Sequence, residues 1–232
     1  MDVALTSFVG GNVLQTFRMI FRKKGDSKYL SHLDLMRCFT RAVKRTGFKA
    51  WYTEGYNPHL YLMFLSPLSL GFESDYEAVD IRLDDNADTK EFISRINEAL
   101  PMGVEVVTIS QSVCNYKDLG YSSWEILIRN KEHFINKEKI FEFLDQDKIL
   151  VIKKSKKGLE RQEDIKQYIK RLTVVEDEDD LTIYADFVTN LSVSLNPQLF
   201  LDSFWKYASI VDIPDVRITR KMLLDIHGNK ME

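Results

Sequence analysis

Cysteine is nearly absent: the 232-residue chain has two, Cys38 and Cys114, separated by 76 positions. An iron–sulfur cluster held by thiolates needs several closely spaced cysteines, so these two do not supply one. There is no CxxC and no pair of histidines at ligand spacing, which leaves neither a disulfide framework nor a zinc site. A reducing, cytoplasmic setting is therefore expected. A long apolar run is missing too. Residues 1–15, MDVALTSFVGGNVLQ, have no basic start and are too short to span a bilayer, so they read as a loose leader, and no membrane partner is expected. Overall basicity is also lacking, with a net charge of -3 and a sequence pI of about 5.9. That excludes a protein coated uniformly with positive charge for nucleic acid.

Against that acidic background one stretch is strongly basic. From Phe17 to His59 there are ten Lys or Arg and three acids. The segment contains a helix signal: Ser31 at the N-cap with Asp34 three residues on, a capping-box variant, and Gly47 at the C-terminal stop. Leu33, Met36, Phe39 with Thr40, and Val43 recur at three and four, predicting the buried face. Arg37, Arg41, Lys44 and Arg45 then emerge as one cationic stripe. A solvated helix face with snorkelling stems would look the same, and it is the local excess of positive charge that points to a polyanion-facing surface.

The chain then runs through Trp51 and Tyr52 into Gly55-Tyr56-Asn57-Pro58-His59, a tight turn between two strands. Rings beside cations are what stacking on unpaired bases uses, although Trp51 and Phe64 fit core packing in a half-buried sheet better. His32 and His59 flank this region. They are candidates for proton transfer if the helix packs on the strand pair so that they face one another, with Tyr56 as a third candidate. Glu73, Asp75, Glu77 and Asp80 crowd into eight residues, but they lack the spacing of a calcium loop and read as a solvated strand entrance, so no metal site is expected.

Read in order, the elements repeat. A strand over 16–24, the helix over 31–46, strands near 48–53 and 59–65, a strand over 76–83, a helix begun by Thr89 and a strand over 104–109 give β, α, β, β, α, β. The second half offers a strand at 124–128, a helix at 137–144, a strand at 149–152, hairpin strands at 172–176 and 181–188, a helix from Asn196-Pro197 and a last strand over 216–224. Between them, residues 153–171 form an insertion-like segment with eight cations and three acids. Two βαββαβ units predict an α+β protein of two tandem ferredoxin-like domains with antiparallel sheets. The expected division is a leader at 1–15, a first domain at 16–110, a linker at 111–121, a second domain at 122–227 and a tail at 228–232.

Tyr29 to Arg37, the Arg41-Ala42 and Lys44-Arg45 pairs, Gly55 to His59, Pro67-Leu68, Leu70-Gly71 and Ser74 to Glu77 together resemble the radical SAM-linked proteins, a bacterial family without an assigned activity found beside or fused to a radical SAM protein. The resemblance covers about residues 17–110 and is looser beyond, at Lys153 to Ile169 with Asp164-Ile165. Tyr56 stands where Phe is expected, and Leu60 where a Pro is common. The resemblance implies a radical SAM protein as partner, with the iron–sulfur cluster and S-adenosylmethionine in that partner and no cofactor in this chain. The family's gene neighbourhood, near ribonuclease E/G and ribosomal protein genes, implies RNA or ribosome metabolism by association.

The expected function is a non-catalytic accessory module that binds RNA or a ribonucleoprotein substrate. Lys28, His32, Arg37, Arg41, Lys44, Arg45, Tyr52, Tyr56, Asn57 and His59 would make the contacts. One alternative is a metal-independent endoribonuclease using His32 and His59, by analogy with duplicated ferredoxin-like repeat-processing enzymes. The glycine-rich C-terminal loop of those enzymes is missing here, where the last strand ends in Asp225-Ile226-His227-Gly228-Asn229. The other alternative is a protein-docking adaptor whose basic stripe meets an acidic partner.

Overall fold

The structure, a computed structural model, describes residues 7–9, 12–84, 86–129, 135–154 and 160–232. These form a mixed α+β protein with four α-helices and antiparallel strand pairing, in two compact units. The first unit is residues 1–119 with 229–232, and the second is residues 120–228.

In the first unit, β1 (Ser7–Val9) forms a hairpin with the start of β2 (Asn12–Lys23), pairing Ser7 with Leu14. Residues expected as a loose leader thus enter the sheet where they are described. The unit continues with α1 (His32–Thr46), β3 (Leu62–Phe64), β4 (Glu73–Asp84), α2 (Thr89–Ala99) and β5 (Val104–Gln111). β2 is flanked by β4 and β5, and β3 pairs with β4, all antiparallel, so the strand order is β5-β2-β4-β3.

Alternation along β2 decides which side is core. Phe17, Met19 and Phe21 join Val79, Ile81 and Leu83 of β4 under both helices, with Leu35, Phe39, Ala42 and Val43 of α1 and Phe92 and Ile96 of α2. The expected face of α1 is corrected here: Leu33 is 55% exposed and Leu35 takes the inward position. The inward stripe is Leu35, Phe39, Ala42, Val43 and Thr46, which keeps Phe39 and Val43 of the expected face and replaces its start at Leu33 with Leu35, two residues and about half a turn away. The N-cap of α2 is also one residue earlier than expected, because the Asp88 carboxylate accepts the Lys90 and Glu91 N–H groups.

Close backbone approach makes one glycine necessary. Gly103 has φ +85°, and a Cβ there would lie 2.3 Å from the Lys24 carbonyl oxygen. Its own carbonyl accepts from the Lys24 N–H at 2.8 Å and from the Ser27 hydroxyl at 3.0 Å. Gly103→Ala is expected to lose about 2 kcal/mol or more, from the left-handed backbone and the clash together. A urea melt with a lowered midpoint and an unchanged slope would show this.

The second unit contains β6 (Leu119–Arg129, from Gly120 on), α3 (Lys137–Asp145), β7 (Leu150–Lys154), β8 (Glu160–Asp164), β9 (Ile169–Glu176), β10 (Asp180–Val188), α4 (Pro197–Tyr207) and β11 (Val216–Asp225). Its main strands run in the order β11-β6-β10-β9. Asn196 caps α4 through the Gln198 N–H, and Pro197 holds its first turn, as the sequence predicts. Phe143 of α3 meets Phe200 and Phe204 of α4 at 5.7 and 5.5 Å between ring centroids, and Phe200 meets Phe187 of β10.

One strand assignment is corrected. Residues 149–152, expected to be the second strand of the unit's main sheet, belong instead to a separate two-stranded sheet, β7 with β8. β9 takes the place beside β10. Residues 229–232, within the expected tail, pack with the first unit, where Met231 is fully buried and its main-chain oxygen accepts the Tyr76 hydroxyl at 3.2 Å. Burial and the neighbouring Glu232 push the Tyr76 phenol up to about 12.

Candidate functional site

The site begins at the start of α1. The Ser31 hydroxyl donates to Asp34 Oδ2 at 2.6 Å and accepts the Asp34 N–H at 3.2 Å, so the cap closes on itself as its spacing predicts. That bond from Ser31, together with Arg37, holds the Asp34 carboxyl below its ordinary value. At the other end Gly47 adopts φ 78°, the left-handed stop.

The outer face of α1 carries Arg37, Arg41, Lys44 and Arg45, all exposed. Arg37 is engaged by Asp34 at 3.2 Å. The Lys44 ammonium lies 5.8 Å from the centre of the Tyr52 ring, which is 37% exposed. Arg41 and Arg45 have no ion-pair or hydrogen-bonding partner among the described residues. Two guanidinium groups held by a rigid helix and not neutralised are available to an outside anion, and Arg suits phosphate because its fork of donors is planar and permanently charged. Lys28 lies ahead of the helix, with its ammonium 5.2 Å from the Tyr29 ring.

The turn after α1 is built around a residue the sequence reading overlooked, Thr53. Its N–H donates to the His59 carbonyl at 2.8 Å, and its hydroxyl accepts the His59 N–H at 3.1 Å. The same hydroxyl lies 2.9 Å from His59 Nδ1. Gly55 at φ 119° gives the turn its reversal, and Tyr56 at its tip is 99% exposed. Asn57 offers its main-chain oxygen to His59 Nδ1 at 3.4 Å. The turn therefore presents one ring to solvent on a hydrogen-bonded base.

The two histidines are not brought together. His32 is half-buried, its ring edge-on to Phe64 at 5.1 Å, while His59 is exposed in the turn. His59 precedes Phe64 by five residues, about 16 Å of extended chain, and among the described residues no hydrogen bond or ring contact joins the pair. Burial first, and the nearby Lys23 ammonium second, lower the His32 pKa from 6.5. Because the folded value is the lower one, the unfolded chain binds the proton more readily. The stabilising contribution of neutral His32 is complete above pH 6.5 and is lost as pH falls through that value toward the folded pKa. Urea unfolding at pH 7.5 and at pH 5.5, run on the parent and on His32→Gln, should show the steeper acid loss in the parent; parallel losses would contradict the assignment.

Buried charged groups that the sequence does not single out include Arg18, Asp80 and Lys23. Arg18 and Asp80 stand directly opposite in the β2–β4 ladder, with Nε to Oδ1 at 2.7 Å and Nη2 to Oδ2 at 3.0 Å. Burial alone draws the Arg18 pKa down, but the bonds and charge of Asp80 outweigh it and the net shift is upward. Lys23, 1% exposed, donates to the carbonyls of Leu30 at 3.0 Å and Lys28 at 3.3 Å, tying β2 to the entry of α1. A charged residue in each of two apolar-alternating strands, Arg18 among Phe17 and Met19 and Asp80 among Val79 and Ile81, was the available signal.

Behind the turn, the Arg82 guanidinium lies 4.7 Å from the ring centres of both Trp51 and Tyr61. This gives Trp51 a cation-holding role within the sheet. The crowded carboxylates of β4 are dispersed: Asp75 and Glu73 lie 2.6 and 4.0 Å from the Lys24 ammonium, Asp80 is taken by Arg18, and Glu77 is buried. Among the described residues no three of His, Cys, Asp and Glu gather as a possible metal-ligand group, and no helix is long and apolar enough to cross a membrane.

Fold and site together define a two-unit α+β protein that carries an exposed cationic helix face beside exposed tyrosines. The chain belongs to the family described as an uncharacterized protein conserved in bacteria (DUF2344), whose model matches residues 16–197. That description names neither a reaction nor a partner. A search of curated proteins finds no match. Two solved structures align over 89% of this chain and 98% of their own. One is an unknown protein from Galdieria sulphuraria, at 11% identity and a TM-score of 0.26. The other is a putative glycine cleavage system transcriptional repressor, at 9% identity and 0.24. Superpositions this poor carry no argument about fold or function.

Proposed function

We propose that the chain is an accessory module that binds single-stranded RNA through the outer face of α1 and the Gly55–His59 turn. The observation that carries this reading is the pair of unneutralised guanidinium groups, Arg41 and Arg45, on the same region of chain as two exposed rings, Tyr52 and Tyr56. Cations fix the sugar-phosphate backbone and rings stack on bases that are not paired; together they suit a single strand better than a duplex. Filter binding of a short single-stranded RNA across a salt series tests it. Affinity that falls steeply with salt, and a duplex bound more weakly than the single strand, is the expected result; equal affinity for both would remove the role assigned to the rings.

The partner in this reading is a radical SAM protein, drawn from the resemblance in sequence. A specific observation favours protein docking at the entry to α1: Tyr29, Leu33 and Leu70 are 64%, 55% and 63% exposed, and the Gly71 N–H bond to the Lys28 carbonyl holds Leu70 near Tyr29. Large apolar groups left in water beside a cationic helix suit a protein contact. Affinity capture of the native partner with and without nuclease separates the two surfaces. A partner retained after nuclease and lost on Leu33→Asp supports docking there. As to fold, each unit reads as ferredoxin-like. The orders β5-β2-β4-β3 and β11-β6-β10-β9 both place the fourth strand of a βαββαβ unit beside the first, and the β7–β8 hairpin is an insertion in the second.

A further inference from the structure

The β7–β8 hairpin creates a second surface, in the second unit, that the RNA reading does not use. A groove of about 430 Å³ has residues 149–152 as one wall and Phe143, Leu199, Ser203, Lys206 and Tyr207 among those of the other. Successive side chains of a strand point to opposite faces. Four consecutive residues can therefore line one groove only if the edge of the strand, with its main-chain groups, forms the wall. No β8 residue lines the groove, so this is the edge turned away from β8.

The hydrogen bonding agrees. Ile149 offers its carbonyl to the Ile165 N–H at 2.9 Å, and the register pairs Leu150 with Asp164, Val151 with Glu163 and Ile152 with Gln162. Antiparallel pairs alternate between bonded and non-bonded. Ile149, Val151 and Lys153 therefore direct their main-chain groups toward β8, and Leu150 and Ile152 direct theirs into the groove. The Leu150 and Ile152 side chains are 52% and 61% exposed. A two-stranded sheet alone is marginal in water, and an unpaired edge with apolar side chains is a template for another strand.

Charge selects the occupant. Lys153, Lys154, Lys156 and Lys157 follow the apolar run of β7 with no acid before Glu160, while Asp145 and Asp147 offset Lys148 ahead of it, so the positive charge of this stretch falls at the C-terminal end of the strand. On the opposite wall Lys206 and Asp202 offset each other. A second copy of this chain is a poor fit, because an antiparallel pairing centred on Val151 sets Lys148 against Lys154. We infer that the outer edge of β7 is a docking edge for an extended peptide of a partner protein, apolar at alternate positions and acidic at the end that lies beside the C-terminus of β7. The peptide adds a third strand to the hairpin, its main chain meeting Leu150 and Ile152 and its apolar side chains entering the groove.

The test is a random nonapeptide display library panned against the full chain, followed by titration of the enriched peptides. The expected consensus has alternating apolar residues with Asp or Glu at one end. Ile152→Pro removes the outward N–H and leaves the bonds to β8 in place, which a strand edge tolerates. It should weaken these peptides about tenfold or more, with the circular dichroism of the parent retained. Lys154→Glu, a side-chain change that keeps every main-chain group of the ladder, should weaken acidic-ended peptides and favour lysine-ended ones, which keeps the proposal testable if the proline variant folds poorly. The proposal is overturned by no enrichment, by a consensus with helical spacing, by an Ile152→Pro variant that folds and binds as the parent does, by a short RNA that binds the parent and is lost on Ile152→Pro, or by a concentration-dependent dimer that the same substitution abolishes.

Discussion

Replacing Asp80 by alanine is expected to cost about 3–5 kcal/mol of unfolding free energy, the largest stability effect at any position considered. The Arg18 side chain has no exposed surface and the Asp80 side chain 4%. Removing the carboxylate leaves a guanidinium that cannot shed its proton and cannot reach water. Its remaining partners are the Cys114 carbonyl at 3.0 Å, the Cys114 thiol at 3.5 Å and the Glu232 main-chain oxygen at 3.5 Å. None of these brings a full compensating charge in the sheet. Replacing both members, Arg18→Met with Asp80→Leu, should recover most of the loss, because apolar groups of similar volume avoid the desolvation cost altogether. Urea unfolding of the two single variants and the double variant measures this. A single-variant loss below about 1 kcal/mol would mean that the pair behaves like an exposed one.

Reversing charge at Arg41 and Arg45 together is expected to lower affinity for single-stranded RNA on the order of 100-fold at low salt and to flatten the salt dependence by about one to two logarithmic units. Both side chains are exposed and bond to nothing else described, so the melting of Arg41→Glu/Arg45→Glu should stay within about 0.5 kcal/mol of the parent. Tyr56→Ala should weaken binding by roughly 1–3 kcal/mol with little change in the salt slope, since a stacked ring contributes no counterion release. Unchanged RNA retention in the double variant would sink the proposed function. The result also separates the two surfaces, because peptide binding at β7 should be unaffected by changes on α1.

What could be read from the chain was local. The Ser31–Asp34 cap, the Gly47 stop, the Asn196-Pro197 helix start and the cationic stripe of α1 all follow from interactions within a few residues, and such interactions are encoded wherever those residues occur in that spacing. The position of the Gly55–His59 turn was legible for the same reason. Thr53, which organises that turn, was missed because a threonine six residues from a histidine has no recognisable spacing until the chain reverses.

Tertiary structure decided the rest. Periodicity predicted a buried face for α1 but chose Leu33 over Leu35, because two apolar residues near a helix start satisfy nearly the same pattern and only the sheet beneath selects one. Strand partners are equally invisible locally: the apolar run 149–152 is a good strand in any sheet, and it was the competing pairing of β9 with β10 that excluded it from the main one. The burial of Arg18 and Asp80, 62 residues apart, and the separation of His32 from His59 both depend on strand register. The sequence by itself determined where helices, turns and charge would fall, since those are set by neighbours along the chain. Which charges are buried and paired, and which are left facing solvent to meet a partner, was decided only when distant segments came into contact.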